Sequence, residues 1–206
     1  MSEATRLITA EELEKFPDDD FRYELVAGPI AGVFLDKGAA GSGAFTIDTW
    51  AYGWTVGANA GALFQVGSKV RLGALLMLHA QERRLGAVMT EVGFKLASNP
   101  DTVRAPDVAF VRRDRIPTPE PRGFWNGPPD LAVEVLSPDD RPEEVREVLA
   151  EYLTHGVPVV VLVDPDTRKI NVLRPGTSEL ALATGDVLDL GDAVSGFRCN
   201  VRDLFE

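Results

Sequence analysis

Two carboxylates interrupt strand-like apolar runs, and this pattern constrains the fold more than any other feature of the chain. Asp107 lies in the run Ala105–Val111, and Glu134 lies in the run Asp130–Pro138. An ionised carboxylate is costly to bury inside a strand unless it has a partner. If neighbouring strands bring the two carboxylates together, they repel each other unless a cation lies between them. A hard divalent ion such as Mg²⁺ prefers oxygen ligands and would resolve this conflict, so the pair indicates a metal site.

Each carboxylate also has an ordinary structural explanation. Asp107 follows a proline and could close a turn, and Glu134 could pair with one of the many arginines of the chain. For one residue alone, such a role explains the sequence as well as a functional role does. The two residues together, on successive strand candidates, favour a metal site that hydrolyses a phosphodiester bond.

Length and composition predict one domain with a sizeable core. The chain has 206 residues, of which 45% are hydrophobic. Cys199 is the single cysteine, which excludes an internal disulfide and a cysteine-rich zinc site. We expect Cys199 to be a small, buried apolar residue. Residues 1–6 lack the pattern of a signal peptide, so we expect a cytoplasmic location.

The charge balance opposes bulk attraction to nucleic acid. The net charge is -11, whereas DNA-binding proteins usually neutralise several phosphates with lysine and arginine. If this protein acts on DNA, it needs a local basic patch, a groove between two subunits or a partner.

The hydrophobic periodicity predicts an α/β fold with a central mixed β-sheet flanked by helices. Helices are predicted from a Thr9 cap to Phe16, from a Ser68 cap to about Arg84, and from Pro142 to about His155. Strands are predicted at 21–26, 30–35, 87–96, around Asp107, around Glu134, and at 157–163 and 169–173. His79 and His155 fall on or at the end of helices, where structural roles suffice.

Residues 37–67 form an atypical Gly-rich insertion in this single predicted domain. Seven of its 31 residues are glycine. A membrane span is rejected because glycines, Asn59 and Gln65 dilute the apolarity. Three alternatives stay open: a hairpin around Gly53 that joins 46–52 to Trp54–Val56, a flexible insertion, and an altered reading frame or recent insert.

Several motifs in register resemble one known family. The runs Arg22–Val26, Ala105–Val111 and Asp130–Pro138 closely resemble the Uma-two endonucleases of the PD-(D/E)XK nuclease superfamily. The same holds for Glu151-Tyr152 at the end of a predicted helix, for Gly156-Val157, and for Val163-Asp164-Pro165. The resemblance covers residues 9–27 and about 68–206 in the family's order, and several motifs in order are far more specific than one.

The resemblance implies a restriction-endonuclease-like core, Mg²⁺ (or Mn²⁺) as cofactor and DNA as substrate. Asp107 and Glu134 match the two metal-binding carboxylates, and the main-chain carbonyl of Val135 is a further candidate ligand. Glu24 matches the acidic position of the first strand and is a third candidate catalytic residue. Because the superfamily's duplex cutters often pair their active sites, we also expect a homodimer. We expect no membrane partner.

The chain departs from the superfamily pattern at its lysine. The position two residues after the second carboxylate is Leu136, and the position four residues before Tyr152, where the Uma-two family carries its lysine, is Val148. The group that would orient water or stabilise developing charge is missing from both places.

This departure puts the activity in doubt. Arg141, Arg146 and Lys95 are candidate substitutes, although an arginine stays protonated and is a poor base. The main hypothesis is a metal-dependent DNA endonuclease, and the alternative is a catalytically inactive nuclease-fold module for binding or assembly. A hydrolase of small phosphates is disfavoured because the chain has no Gly-x-x-x-x-Gly-Lys-Ser/Thr loop.

Overall fold

A computed structural model describes residues 8–15, 21–25, 30–35, 45–47, 54–56, 60–119, 121, 123–138 and 140–206. The predicted turn at 28–29 lies outside the described residues, as do residues 37–44, 48–53 and 57–59 of the Gly-rich segment.

The described residues form three α-helices, fifteen short strands and two 3₁₀ turns. The helices are α1 (Ala10–Leu13), α2 (Ala60–Arg83) and α3 (Pro142–Thr154). The strands are β1 (Phe21–Leu25), β2 (Ile30–Leu35), β3 (Phe45–Ile47), β4 (Trp54–Val56), β5 (Gly86–Met89), β6 (Phe94–Ala97), β7 (Thr102–Arg104), β8 (Val108–Arg112), β9 (Trp125–Asn126), β10 (Leu131–Val135), β11 (Val160–Asp164), β12 (Lys169–Leu173), β13 (Leu180–Leu182), β14 (Val187–Asp189) and β15 (Arg198–Asn200). The 3₁₀ turns are Arg113–Arg115 and Val201–Leu204.

The larger sheet has six strands in the order β13-β12-β11-β10-β8-β5. β10 and β11 are parallel, and the other neighbouring pairs are antiparallel. A parallel pair needs a crossover connection, and α3 supplies it between β10 and β11. This mixed sheet with helices confirms the predicted α/β class.

The second sheet has five strands in the order β2-β1-β7-β6-β9. β1 and β2 form the predicted antiparallel hairpin. β9 comes from the Pro-rich loop at 117–129, where no strand was predicted. It is two residues long and pairs in parallel beside Phe94 and Lys95, so it is too short to show the alternating pattern of a strand.

The six-stranded sheet is covered on both faces. On one face, Leu72 and Leu76 of α2 pack against Phe110 and Val133, together with apolar residues of the C-terminal segment. On the other face, Tyr152 of α3 and residues of the five-stranded sheet pack against alanines and valines of β8, β10 and β11. Burial on both faces explains the nearly continuous apolar runs around the two acidic motifs.

The start of α1 and the ends of α3 form as the sequence predicts, although α1 ends at Leu13, before the predicted Phe16. Thr9 and Glu12 make a reciprocal capping box at the start of α1. Pro142 occupies the first turn of α3, where its missing N–H is no loss. Gly156 follows the end of α3 with φ +91°, a left-handed conformation that glycine adopts without steric penalty.

Three predicted boundaries are wrong. Helix α2 begins at Ala60, so Ser68 lies inside the helix instead of capping it. A glycine such as Gly67 weakens a helix by about 1 kcal/mol, which the helix tolerates here. The predicted strand at 87–96 is two strands in different sheets, because Glu91 at φ +55° turns the chain between β5 and β6. The strand predicted from Val157 begins at Val160.

Part of the Gly-rich segment is a hairpin. β3 pairs antiparallel with β4, and Ile47 lies opposite Trp54. Of the three alternatives for this segment, the hairpin is confirmed for these strands, and the residues after 59 belong to α2. Within the described ranges, no helix has the length and apolarity that a membrane crossing requires.

Gly156 gives a test of the α3 terminus. We expect Gly156→Ala to lower the free energy of unfolding by about 1 kcal/mol, because the left-handed penalty of about 1–2 kcal/mol exceeds the gain from a stiffer unfolded chain. Gly185→Ala is the matched control, since Gly185 has no positive φ and open space around its Cα. Urea denaturation measures both variants, and equal effects would contradict the assignment.

Candidate active site

The two predicted carboxylates lie on neighbouring antiparallel strands. Glu134 belongs to β10, and Asp107 directly precedes β8. The register pairs Val133 with Val108, and Glu134 and Asp107 are the next residues along the two chain segments. The fold therefore brings these two predicted site residues to one end of the β8–β10 pair.

The ladder between β8 and β10 ends at the pair Val133–Val108. Beyond it, the Val135 N–H donates to the side chain of Asp107, at 2.7 Å from Oδ2. The preceding carbonyl, of Pro106, accepts from the Glu91 N–H at 3.1 Å. Because the N–H and C=O of one strand residue point to the same side, the Val135 carbonyl also points toward Asp107. This direction fits its predicted role as a further ligand.

Lys69 of α2 contacts the other oxygen of Asp107. Its Nζ lies 2.9 Å from Asp107 Oδ1 and also forms an ion pair with Glu91. The side chains of Lys69 and Asp107 are 13% and 14% exposed, so the pair is largely shielded from water. A backbone N–H and an ammonium group thus both orient the Asp107 carboxylate.

Lys69 stays charged in this position. Burial is the strongest single influence and lowers the pKa of Lys69, but the attractions of Asp107 and Glu91 together outweigh it. The net result is a pKa above the usual value of lysine. An ammonium that close to Asp107 offsets the repulsion expected between the acidic groups.

Glu134 is held from α3. The Tyr152 hydroxyl donates to Glu134 Oε1 at 2.7 Å, and Tyr152 is fully buried at 0% exposure. The rigid, buried ring therefore fixes one carboxylate oxygen of Glu134. In the sequence, Tyr152 only marked a family motif and the position of Val148. Its hydrogen bond to Glu134 is a site contact that the sequence did not predict.

Val148 lies one helical turn before Tyr152 on the same side of α3. It is partly buried and packs against the core cluster that contains Tyr152 and Leu149. The position where the family carries its lysine is therefore occupied by an apolar packing residue.

The three residues that could replace the missing family lysine form ion pairs with other acidic residues. Arg141 pairs with Glu144 at 3.2 Å, and Arg146 pairs with Glu143 at 3.3 Å, both on the exposed surface of α3. Lys95 of β6 lies 3.0 Å from Asp101. These contacts place none of the three beside Asp107, whereas Lys69 lies there.

Glu24 lies in a different sheet from the other two predicted residues. It belongs to β1 and is paired opposite Gly32 of β2, and its side chain lies outside the described residues. Its predicted catalytic role stays a prediction. The two histidines have structural contacts, because the His79 Nε2 bonds the Ser195 carbonyl at 2.9 Å and the His155 Nδ1 bonds the Glu151 carbonyl at 2.8 Å.

The described side chains contain no group of three or more His, Cys, Asp or Glu residues arranged to hold a metal ion. Two carboxylates and a backbone carbonyl nevertheless suit Mg²⁺, which usually keeps several waters and takes one or two protein carboxylates together with substrate phosphates. Asp107, Glu134 and the Val135 carbonyl therefore form a hard-oxygen donor set that fits such an ion.

Lys69 carried a signal in the sequence. It lies three and seven residues before Leu72 and Leu76, on the buried face of α2. A lysine in a core-facing stripe needs a charged partner. The predicted Ser68 cap hides this signal, because a helix that begins there would make Lys69 a first-turn surface residue, whereas α2 begins at Ala60.

A protein of known structure has a similar mixed α/β fold. A similar structure is a crystal structure titled "putative nuclease belonging to DUF820 from Anabaena variabilis ATCC 29413". It is 20% identical, the match covers 96% of this chain and 97% of that chain, and the TM-score is 0.72. At this identity the likeness shows the fold alone.

The sequence match is more specific. The Uma2 (Uma-two) family model, described as "Putative restriction endonuclease", matches residues 53–202. This span includes Lys69, Asp107, Glu134 and Tyr152, and it is most of the chain. The chain belongs to the Uma2 family, as the motifs predicted. No curated protein matches it.

The Tyr152–Glu134 contact can be tested by a double-mutant cycle. We expect Tyr152→Phe to lower the free energy of unfolding by about 1.5–3 kcal/mol, the usual range for a hydrogen bond to a charged group. In a Glu134→Ala background the same change should have a much smaller effect. Denaturant unfolding of the four proteins gives the coupling energy, and additive effects would exclude an energetically significant bond.

Proposed function

We propose that this Uma2 protein is a metal-dependent DNA endonuclease that hydrolyses phosphodiester bonds. The observation that supports the proposal is the position of Asp107 and Glu134 next to the Val108–Val133 pair, where the Val135 N–H donates to Asp107. Membership of a family described as restriction endonucleases supplies the substrate class.

Asp107, Glu134 and the Val135 carbonyl would hold Mg²⁺ or Mn²⁺. Such an ion, when bound, polarises a phosphoryl oxygen and lowers the pKa of bound water. The chain's own groups orient this donor set: the Val135 N–H and Lys69 hold Asp107, and Tyr152 holds Glu134. Glu24 is a further candidate for this site through its place in the family motif.

A strand-end position suits this chemistry. Both carboxylates lie beside a core that excludes water, yet Glu134 is only partly buried. Low local polarity strengthens the attraction between carboxylates and a cation, while the partial exposure of Glu134 leaves access for a phosphate group.

Glu134→Gln is the sharpest test. The amide oxygen can still accept from Tyr152, so we expect a folded protein that has lost one ligand charge. Loss of the several kcal/mol that a metal provides in the transition state predicts at least a 100-fold fall in plasmid cleavage. Glu179→Gln is the matched control, because it removes the same charge at an exposed position.

Cleavage should require Mg²⁺ or Mn²⁺ and stop with a chelator. Equal cutting by wild type and Glu134→Gln, or cutting that survives chelation, would contradict the proposal. A wild-type protein that binds DNA but never cuts it would instead identify the inactive binding module.

We also propose that the protein acts as a homodimer. The net charge of -11 leaves one subunit with little attraction for DNA, and two sites related by a twofold axis can cut both strands of a duplex. Light scattering should give about twice the subunit mass of 22.3 kDa. A monomer at high concentration, with or without duplex, would contradict this.

A further inference from the structure

Lys69 packs on the core side of α2 and also contacts the candidate active site. It is on the buried face of α2, and its ammonium group reaches the end of β8, where it contacts Asp107 at 2.9 Å and Glu91. Glu91 is 47% exposed and lies in the strained turn that separates β5 from β6. One partner is therefore a proposed metal ligand, and the other is a surface carboxylate that fixes the lysine from outside.

One N–H of the Lys69 ammonium group is available to a ligand. An ammonium group has three donors, and Glu91 and Asp107 account for two of them. Across the part of the chain that the structure describes, Lys69 has no third acceptor. A largely buried donor without an acceptor is unfavourable, so this N–H is suited to an oxygen supplied by solvent or substrate.

We propose that Lys69 is a catalytic residue whose third N–H donates to a nonbridging oxygen of the scissile phosphate. This rests on the nuclease function proposed above. Lys69 belongs to α2, whereas the superfamily carries its lysine at the position of Leu136 and the family carries it at the position of Val148.

The electrostatics favour this role. Asp107 and Glu91 place two negative charges against one ammonium, and these charges would repel a phosphodiester if Lys69 were absent. As water adds to phosphorus, negative charge grows on the nonbridging oxygens, and a fixed ammonium stabilises that charge.

The reaction balances without proton transfer by Lys69. The water oxygen forms a bond to phosphorus and loses a proton to solvent. The bond from phosphorus to the leaving oxygen breaks, its electron pair stays on that oxygen, and the oxygen takes a proton from solvent. Lys69 remains protonated throughout, which matches the charge that Asp107 and Glu91 favour.

Lys69→Met tests the proposal, with Lys169→Met as the matched control. Lys169 is an exposed lysine at the start of β12. We expect Lys69→Met to reduce plasmid cleavage in Mg²⁺ by about 10²–10³-fold and Lys169→Met to leave it unchanged. Lys69→Arg should recover part of the loss, because it keeps the charge and donors with a different shape.

Two readouts separate a substrate contact from a structural role. Binding of a short duplex, measured in chelator over a range of salt, should lose about one unit of log–log salt slope in Lys69→Met. Mg²⁺ affinity, measured by calorimetry, should stay equal or rise, since a cation beside Asp107 is removed. Lys69→Met/Glu91→Gln keeps the test valid if the single variant is unstable, because it also removes the unpaired partner charge.

The outcomes are distinct. If Lys69→Met cuts and binds DNA like wild type, the Lys69 role is overturned while the nuclease function stands. If wild type never cuts, the nuclease function fails; a reduced salt slope then still supports the phosphate contact, and an unchanged slope overturns it. Loss of Mg²⁺ binding in both Lys69→Met and Lys69→Met/Glu91→Gln would show that Lys69 only organises Asp107.

Discussion

The hydrogen bond from the Val135 N–H to Asp107 is the contact on which the site depends. It places a carboxylate where the backbone ladder between β8 and β10 would otherwise continue. A buried N–H needs an acceptor, so the end of this strand pair is stable because a side chain replaces the missing carbonyl. The same contact fixes Asp107 beside Glu134 and turns the Val135 carbonyl toward it.

Two helices on opposite faces of the six-stranded sheet complete this arrangement. From α2, Lys69 binds the second oxygen of Asp107, and from α3, Tyr152 binds Glu134. Neither contact needs a flexible surface side chain, because Lys69 is largely buried and Tyr152 fully so. The packing that stabilises the fold therefore also orients the two carboxylates, which is the preorganisation that electrostatic catalysis requires.

The sequence predicted the elements whose signals are local and missed those set by tertiary contacts. The cap at Thr9, the start of α3 at Pro142 and the β1–β2 hairpin follow from residue types at fixed spacings. The break at Glu91 did not, because a glutamate at positive φ has no sequence signature and is held by its bond to the Pro106 carbonyl. Asp107 and Glu134 stood out as charges in apolar strands, whereas Lys69 required the correct start of α2 and a partner 38 residues away in sequence.

The central claim is that Asp107 and Glu134 share one divalent ion, and anomalous diffraction from crystals soaked in Mn²⁺ tests it most directly. The account predicts a single strong peak within about 2.0–2.3 Å of an oxygen of each carboxylate, with the Val135 carbonyl nearby and Lys69 still beside Asp107. Absence of a peak there at saturating Mn²⁺, or a peak bound by other residues, would contradict the account.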